Sequence, residues 1–343
     1  MKRSPGRKLR GLSLVELLVT LAIAALLMAG VTRIFVSSRQ GYRVQESASR
    51  LQENIRIATD YFSRHLRLAD LWGGVEADQV GLIGAANYPG PGACEHAWVL
   101  DPANGLVGYA GGTSAPVGLP ANCLSQYVTG SDALAIRYAN PDAYASNAQL
   151  AGSNAGNLLK VNGKYYLRSR TGVRGLLFDV TSSASRSAVL QALPGSAEEG
   201  VLSYQYQTLL FYLRNIDFGR GPVPTLNMLS LQSDALQAEQ LVDGIEMLSF
   251  GYGIDSDGDG QVDGYRPASG VTDWRQVLGV RVSFIARGDE FDALVDRASY
   301  PLADGRCYGP AGSGCAVRYS DAVARFQRRL VSKDIQLRNR VRG

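Results

Sequence analysis

The sequence has few of the residues that most catalytic and metal-binding sites need. Among its 343 residues are only two histidines and four cysteines, and no C-x-x-C spacing occurs. Zinc sites and thioredoxin-like redox chemistry therefore lack their ligands. The chain also lacks a G-x-S-x-G motif, a Walker loop and a G-x-G-x-x-G motif after a strand. Neither His65 nor His96 has a visible nucleophile or acid partner, so we expect no enzymatic activity.

The excess of basic residues is confined to the N-terminus. The chain has 35 basic and 31 acidic residues, and five of the basic ones precede Gly11. Without them, 30 basic residues stand against 31 acidic ones, so the basic pI does not indicate a nucleic-acid partner. The C-terminal region is rich in arginine: Arg318, Arg325, Arg328, Arg329, Arg338, Arg340 and Arg342. A basic patch for DNA is one interpretation, and solvated strand faces are the simpler one.

The longest apolar run extends from Leu12 to Ala29 and contains no lysine, arginine or aspartate. It is long enough to enter a bilayer as a helix. Glu16 lies inside it, and a carboxylate there costs several kcal/mol unless it finds a partner, so its presence indicates a function. A short cationic segment precedes the run and contains Lys2, Arg3, Arg7, Lys8 and Arg10.

This cationic segment, Gly11, Leu12 and Glu16 together resemble the class III signal of type IV prepilins. In that family a prepilin peptidase cuts after the glycine and methylates the new N-terminus, and the glutamate pairs with the terminal amine of a neighbouring subunit. The resemblance implies cleavage between Gly11 and Leu12 and an assembly role for Glu16. The chain departs from the family at Leu12, where phenylalanine is usual.

Two other interpretations of the N-terminus remain open. A secretory signal peptide also combines a basic and an apolar region, and Ala22-Ile23-Ala24 could pass as its cleavage site. That triplet, however, lies in the middle of the apolar run rather than after it. The other interpretation is a plain single-pass anchor whose basic residues stay in the cytoplasm.

A helical pattern continues beyond the apolar run. Apolar residues recur at spacings of three or four: Val44, Ala48, Leu51, Ile55, Ala58, Phe62, Leu66 and Ala69. One helix from Ser13 to about Leu71, roughly 90 Å long, would be apolar all round in its first half and amphipathic in its second. This pattern is typical of a pilin stalk, and the glycines at 73–74 are a plausible end. A break at Gly41, giving an anchor and a separate helix, is the alternative.

From Trp72 onward the sequence predicts short strands joined by loops. A loop-rich region covers 81–122, and the Ala/Gly/Asn-rich segment Tyr144–Asn162 is also predicted to be a loop. The predicted strands are Ala133–Tyr138, Lys164–Arg168, Gly175–Val180, Leu202–Arg214, Ile245–Tyr252, Val277–Ala286 and Lys333–Arg338. The expected division is a cleaved cytoplasmic leader at 1–11, a helix at 12–71 and a β-rich periplasmic head at 72–343.

The cysteines form two local pairs in the sequence, Cys94 with Cys123 and Cys307 with Cys315. If the head is exported across the inner membrane, two disulfides are the natural interpretation. Four unpaired buried thiols are the alternative.

One segment has the spacing of a calcium loop. Asp255, Asp257, Asp259 and Asp263 occupy positions 1, 3, 5 and 9, with glycine at position 6 and the carbonyl of Gln261 available at position 7. The segment resembles EF-hand-type and dockerin-type loops, but Arg266 replaces the bidentate glutamate of position 12. We therefore expect weak calcium binding, unless an outside acid such as Asp273 helps. An Asp/Gly-rich hairpin turn is the alternative.

Several further segments resemble PilW-type minor pilins of the type IV pilus: 49–54 in the stalk, the acidic loop before Trp274, the strand Val280–Phe284 and the terminal segment Leu337–Arg340. The resemblance implies an α+β fold, with the long N-terminal helix packed under a mainly antiparallel β-sheet head.

The same resemblance implies a function and a set of partners. It implies a low-abundance subunit that joins other minor pilins in a priming complex at the pilus tip. Its partners would be those pilins, the major pilin, the prepilin peptidase and the inner-membrane assembly machinery. Before assembly the chain would be a single-pass inner-membrane protein with a periplasmic head, and afterwards part of the pilus.

Two other functions remain open from the sequence. A type II secretion pseudopilin shares the leader and the stalk. A calcium-dependent binding or adhesion module could also be anchored by a pilin-like helix.

Overall fold

The computed structural model describes residues 13–83, 99–120, 123–160, 163–219, 221–232, 235–291 and 294–340. The chain divides into two compact units, Met1–Ser49 and Arg50–Gly343. The described α-helices are α1 Leu14–Leu68, α2 Asn147–Ala151, α3 Ala155–Leu159 and α4 Ser183–Ala192. The predicted long N-terminal helix is confirmed, and it continues through Gly41 without a break.

The described strands range from 2 residues in β12 to 17 residues in β6. They are β1 Val80–Leu82, β2 Leu106–Tyr109, β3 Ala133–Ala145, β4 Tyr165–Arg170, β5 Arg174–Asp179, β6 Val201–Asp217, β7 Pro222–Gln232, β8 Ala235–Asp243, β9 Ile245–Ile254, β10 Gly264–Arg266, β11 Val277–Phe291, β12 Tyr300–Pro301, β13 Cys307–Pro310, β14 Val317–Tyr319 and β15 Phe326–Gln336. All seven predicted strands are present, and most are longer than predicted.

The strands form two large sheets and one small one. Sheet A has the order β1-β5-β4-β6-β3-β2, and its long strand β6 also pairs with β7, which pairs with β8. Sheet B has the order β10-β9-β11-β15 and is antiparallel throughout. Strands β12, β13 and β14 form the small sheet. Because the pairs β1–β5 and β13–β14 alone are parallel among the described ladders, the head is mainly antiparallel, as predicted.

The main core of the head lies between sheet A, sheet B and the C-terminal part of α1. Leu51, Phe62 and Leu66 of the helix are at most 2% exposed and belong to one cluster with residues of both sheets. From Leu51 onward the predicted apolar stripe is therefore buried, except that Ile55 is only partly buried, whereas Val44 is 43% exposed. Burial of this stripe, rather than helix propensity, fixes the C-terminal part of α1 to the head.

One loop prediction was wrong. The segment Tyr144–Asn162 contains α2, which begins with a capping box between Ser146 and Gln149, and it also contains α3. These two helices bury Leu150 and Leu159, so tertiary burial outweighs a composition that favours loops. In the described part of the loop-rich region 81–122, only the end of β1 and the short strand β2 are regular strands, so loops predominate there as predicted.

Candidate functional site

Helix α1 begins with a reciprocal pair of hydrogen bonds between Ser13 and Glu16. The N–H of Glu16 donates to Ser13 Oγ at 3.2 Å, and the N–H of Ser13 donates to Glu16 Oε2 at 2.9 Å. This capping box satisfies two donors that the helix itself leaves unpaired. The Ser-x-x-Glu spacing in the sequence is the local signal from which this capping box is predictable. Gly11 and Leu12 lie outside the described residues, so the cleavage site stays a prediction.

The apolar first part of α1 is exposed all round. Its large apolar side chains between Leu14 and Val36 are 53–77% exposed. By length and composition α1 is able to cross a membrane, and its most apolar window has a mean hydropathy of 2.5. Such a surface needs lipid or other apolar helices around it.

The second part of α1 is held in the head by an aromatic cluster. The Phe62 ring lies 5.2 Å from the ring of Phe211 in sheet A. It also lies 5.8 Å from Phe250 and 6.4 Å from Phe284, both in sheet B. Rings at these distances and tilts add specific contacts to the area that they bury. Phe62 therefore joins the helix to both sheets at once.

A hydrogen-bonded clamp fastens the chain just after α1 ends. Asp70 adopts a left-handed backbone conformation with φ 60°, and its Oδ1 accepts a hydrogen bond from the N–H of Gly105 at 2.8 Å. Arg340 Nε donates to Asp70 Oδ2, and Asn339 Nδ2 donates to the carbonyl oxygen of Ala69 at 2.8 Å. The C-terminal segment thus completes the site that holds the end of the helix.

The acidic loop joins β9 to β10 in a hairpin. Carboxylate oxygens of Asp255, Asp257 and Asp263 lie within 4.8 Å of one another. Asp255 accepts hydrogen bonds from the N–H groups of Gly258 at 2.6 Å and Gly260 at 2.9 Å. These bonds shape the turn round one side of the carboxylate cluster.

The structure brings together only part of the predicted ligand set. Asp259 accepts hydrogen bonds from the backbone N–H of Gln261 at 2.7 Å and from its side-chain amide at 3.2 Å. Asp263 accepts from the N–H and the hydroxyl of Ser256, and these bonds lower its pKa. Asp273 forms an ion pair with Arg275 at 3.1 Å. The outside acid that could have replaced the missing glutamate is therefore engaged elsewhere.

One predicted disulfide is present between described residues. Cys307 and Cys315 are bonded, with their Cα atoms 5.0 Å apart, in the segment that carries β13 and β14. Cys123 is also disulfide-bonded, but Cys94 lies outside the described residues. The pairing of Cys94 with Cys123 therefore stays a prediction.

Two of the C-terminal arginines are buried, contrary to the interpretation of them as solvated. Arg328 has a fully buried side chain, and its Nε donates to Glu246 Oε2 at 2.6 Å. Arg340 is the member of the clamp at Asp70. A buried charge needs a partner, and each of these two arginines pairs with a carboxylate inside the head. Fewer C-terminal arginines are therefore available on the surface to contact DNA. Sequence alone did not distinguish them from the exposed Arg325, Arg329 and Arg338.

Comparison with known proteins found two family matches. The family described as Type IV Pilus-assembly protein W matches residues 210–339. The family described as Prokaryotic N-terminal methylation motif matches residues 6–32. No curated protein and no solved structure matches the chain. The first match covers the end of β6, all of β7 to β15 and Asn339 of the clamp. The second covers the end of the cationic segment, Glu16 and the apolar run.

Proposed function

Because the chain is a type IV pilus-related minor pilin of the PilW type, we propose that it helps to prime pilus assembly and lies at or near the pilus tip. The observation that carries this proposal is the construction of α1. Its first part is apolar and exposed, and its second part is buried in the head. A subunit of this kind supplies a helix for packing among other helices and a head for contacts outside the membrane. We expect no catalytic role, since both matched families describe assembly or processing signals.

In the proposed mechanism Glu16 orients the subunit during assembly. Its carboxylate lies at the start of α1, where it accepts a hydrogen bond from the N–H of Ser13 at 2.9 Å. In a bilayer the Glu16 carboxyl group is stable only when it is protonated or paired with a positive charge. The terminal amine of a neighbouring pilin is a partner of suitable sign. The prepilin peptidase, the major pilin, other minor pilins and the inner-membrane machinery are the partners of this step.

Complementation of a deletion strain tests the proposal. The Glu16→Ala variant as the sole copy should be present in the membrane but should give few or no pili. Glu53→Ala is the matched control on the same helix, because Glu53 forms only an exposed pair with Arg56. We expect normal piliation from Glu53→Ala. Normal piliation from Glu16→Ala would contradict the assembly role.

The location in the pilus is tested on sheared pili. Gold-labelled antibody against the head should bind at pilus ends, and mass spectrometry should find the chain at a small fraction of the major pilin. Labelling along the whole pilus would contradict the tip location. A deletion that leaves piliation intact but blocks protein secretion would instead favour the type II secretion pseudopilin, although the family match names pilus assembly.

We further propose that the acidic loop binds calcium weakly, which would suit a calcium-dependent binding or adhesion function of the head. Three converging carboxylates and the carbonyl of Gln261 fit part of a calcium shell of six to eight oxygens. Asp259 would have to turn away from Gln261 to join them. Arg266 supplies no oxygen, so the affinity should lie nearer the millimolar extracellular class.

A thermal shift of the full mature chain in detergent tests calcium binding. Millimolar calcium should raise the unfolding midpoint, because a ligand that binds only the folded state stabilises it. Asp257→Asn should abolish the shift with little change in the calcium-free midpoint, since the Asp257 carboxylate accepts one long bond, from Asp259 N–H at 3.2 Å. Asp321→Asn, an exposed acid outside the loop, is the control. An unchanged wild-type midpoint would mean that the loop is only a turn.

A further inference from the structure

The outer face of sheet B carries a groove that the pilin function does not use. Segment 300–324 covers one end of this face, where Leu302 and Tyr308 pack on Met247 and Ile285. Beside this cover a cavity of about 680 Å³ remains open. Arg281 and Ser283 of β11 and Leu330, Ser332 and Asp334 of β15 form its floor, and Tyr265 of β10 and segment 301–305 form its walls.

The floor of the groove contains a buried hydroxyl without a partner. Ser283 is 1% exposed, and its Oγ has no hydrogen bond to any residue that the structure describes. In register it lies between Ser332 on β15 and Ser249 on β9. Ser249 Oγ accepts a hydrogen bond from the N–H of Asp304 at 3.3 Å, so this hydroxyl already has a partner in segment 301–305. Because buried hydroxyls are normally paired, the Ser283 hydroxyl indicates a missing polar partner in the groove.

The charges in the groove compensate one another. Arg281 forms a two-pronged pair with Asp334, with Nε–Oδ1 at 2.7 Å and Nη2–Oδ2 at 2.8 Å. Its guanidinium lies 4.0 Å from the centre of the Tyr265 ring. Asp304 pairs with Arg306. Each charged side chain among the described lining residues thus has a partner of opposite sign, so a strongly charged ligand would find no free counter-charge among them. A neutral polar ligand brings no charge of its own that must be desolvated, and it can hydrogen-bond to the paired groups.

From these features we propose that the groove binds a short neutral saccharide. Sugar hydroxyls both donate and accept hydrogen bonds, so they can pair with Ser283, Ser332 and the remaining sites of the Arg281–Asp334 pair. Leu330 and Pro301 provide apolar surface for the C–H faces of a sugar ring. The volume lies within the range of roughly 300–1,000 Å³ that small-molecule sites occupy. A saccharide on a host or neighbouring cell would give the head a ligand, independently of its role in assembly.

Saturation-transfer NMR on the full mature chain tests the proposal. The protein is kept in a zwitterionic detergent, because detergents with sugar head groups would compete. The probes are maltose, cellobiose, lactose and chitobiose at millimolar concentration, with sialyllactose as a charged probe and tetra-alanine as a peptide probe. We expect at least one neutral disaccharide to bind and the charged and peptide probes not to bind.

Variants then locate the site. Ser332→Trp fills the groove from an exposed position and should weaken binding by about tenfold or more. Gln336→Trp is the matched control, because Gln336 is exposed on the same strand and face but does not line the groove. Ser283→Ala removes only the unpaired hydroxyl and should also weaken binding, which keeps the test valid if Ser332→Trp unfolds.

Three results would overturn the proposal. They are no binding of any neutral disaccharide, binding of only the charged or peptide probe, and equal binding by wild type and both groove variants. Each of them would leave the piliation phenotype of Glu16→Ala unaffected, so failure of this proposal is distinguishable from failure of the proposed function.

Discussion

The two parts of helix α1 differ both in the pattern of their apolar residues and in the surroundings of those residues. In the first part, large apolar side chains such as Leu26 and Phe35 are 75% and 58% exposed. In the second part, Leu51, Phe62 and Leu66 are at most 2% exposed. The difference is one of pattern, because the first part is apolar on every face and the second on one stripe. One continuous helix can therefore lie in two different environments, and the change in its apolar pattern indicates where one environment gives way to the other.

This difference has an energetic consequence. Apolar surface left in water forgoes about 25 cal/mol for each Å² that could have been buried. The second part of α1 recovers this free energy inside the head, whereas the first part can recover it only in lipid or among other helices. Substitutions in the two parts should therefore affect different properties.

The largest contrast is expected between two phenylalanines of the same helix. Phe62→Ala should destabilise the head by about 3–5 kcal/mol, because it removes a ring that contacts both sheets and leaves a cavity. Phe35→Ala, the matched control, should change the free energy of unfolding by less than about 0.5 kcal/mol. Denaturant unfolding of the full chain in detergent measures both. Equal effects would mean that the two parts of α1 do not differ as described.

The clamp at the end of α1 should give the next largest effect. Arg340→Met leaves the Asp70 carboxylate without its buried ion pair and should destabilise the head by about 3 kcal/mol. Arg338→Met is the control, since Arg338 is exposed two residues earlier. A loss no greater than that of the control, in the same unfolding assay, would show that the C-terminal segment does not hold the helix.

A smaller, pH-dependent effect should arise at His65, also in the second part of α1. Burial, with a contribution from Arg64, lowers the pKa of His65 to about 4. Its unfolded value is near 6.5, so the unfolded state binds the proton first and stability should fall as the pH drops from about 6.5 towards about 4. The loss should be at most on the order of 3 kcal/mol.

The wild-type curve alone cannot isolate this effect, because burial raises the pKa of Asp132 to about 6 and gives the opposite slope in the same range. The contribution of His65 is isolated by subtracting the free energy of unfolding of His65→Gln from that of the wild type at each pH. That difference should shrink on acidification from near pH 7 to about pH 5, since only the wild type has the histidine to protonate. A difference that stays constant would contradict the buried neutral state of His65.

Sequence patterns predicted the elements whose burial follows a simple period. The helix and the seven strands show a period of 3.6 or runs of β-branched and aromatic residues. Strands β7 and β8 were missed, because Pro222 and Pro224 open β7 and the exposed face of β8 is polar. Helices α2 and α3 were missed because each is five residues long and depends on tertiary burial.

The candidate sites were predictable only where the signal is local. The Cys307–Cys315 pair and the turn at 255–263 follow from short spacings. The Asp70–Arg340 clamp joins residues 270 positions apart, and the groove on sheet B combines three strands with a wall from another segment. Neither could be read without the strand register, because spacing along the chain does not report distance in the fold.

We propose above all that the chain is a prepilin whose exposed apolar helix becomes the N-terminus of a mature pilin subunit. Mass spectrometry of the membrane fraction and of sheared pili measures this directly. We predict a mature N-terminus at Leu12, carrying one added methyl group. An N-terminus at Ala25, or intact peptides from Met1 to Arg10 as the main species, would contradict it.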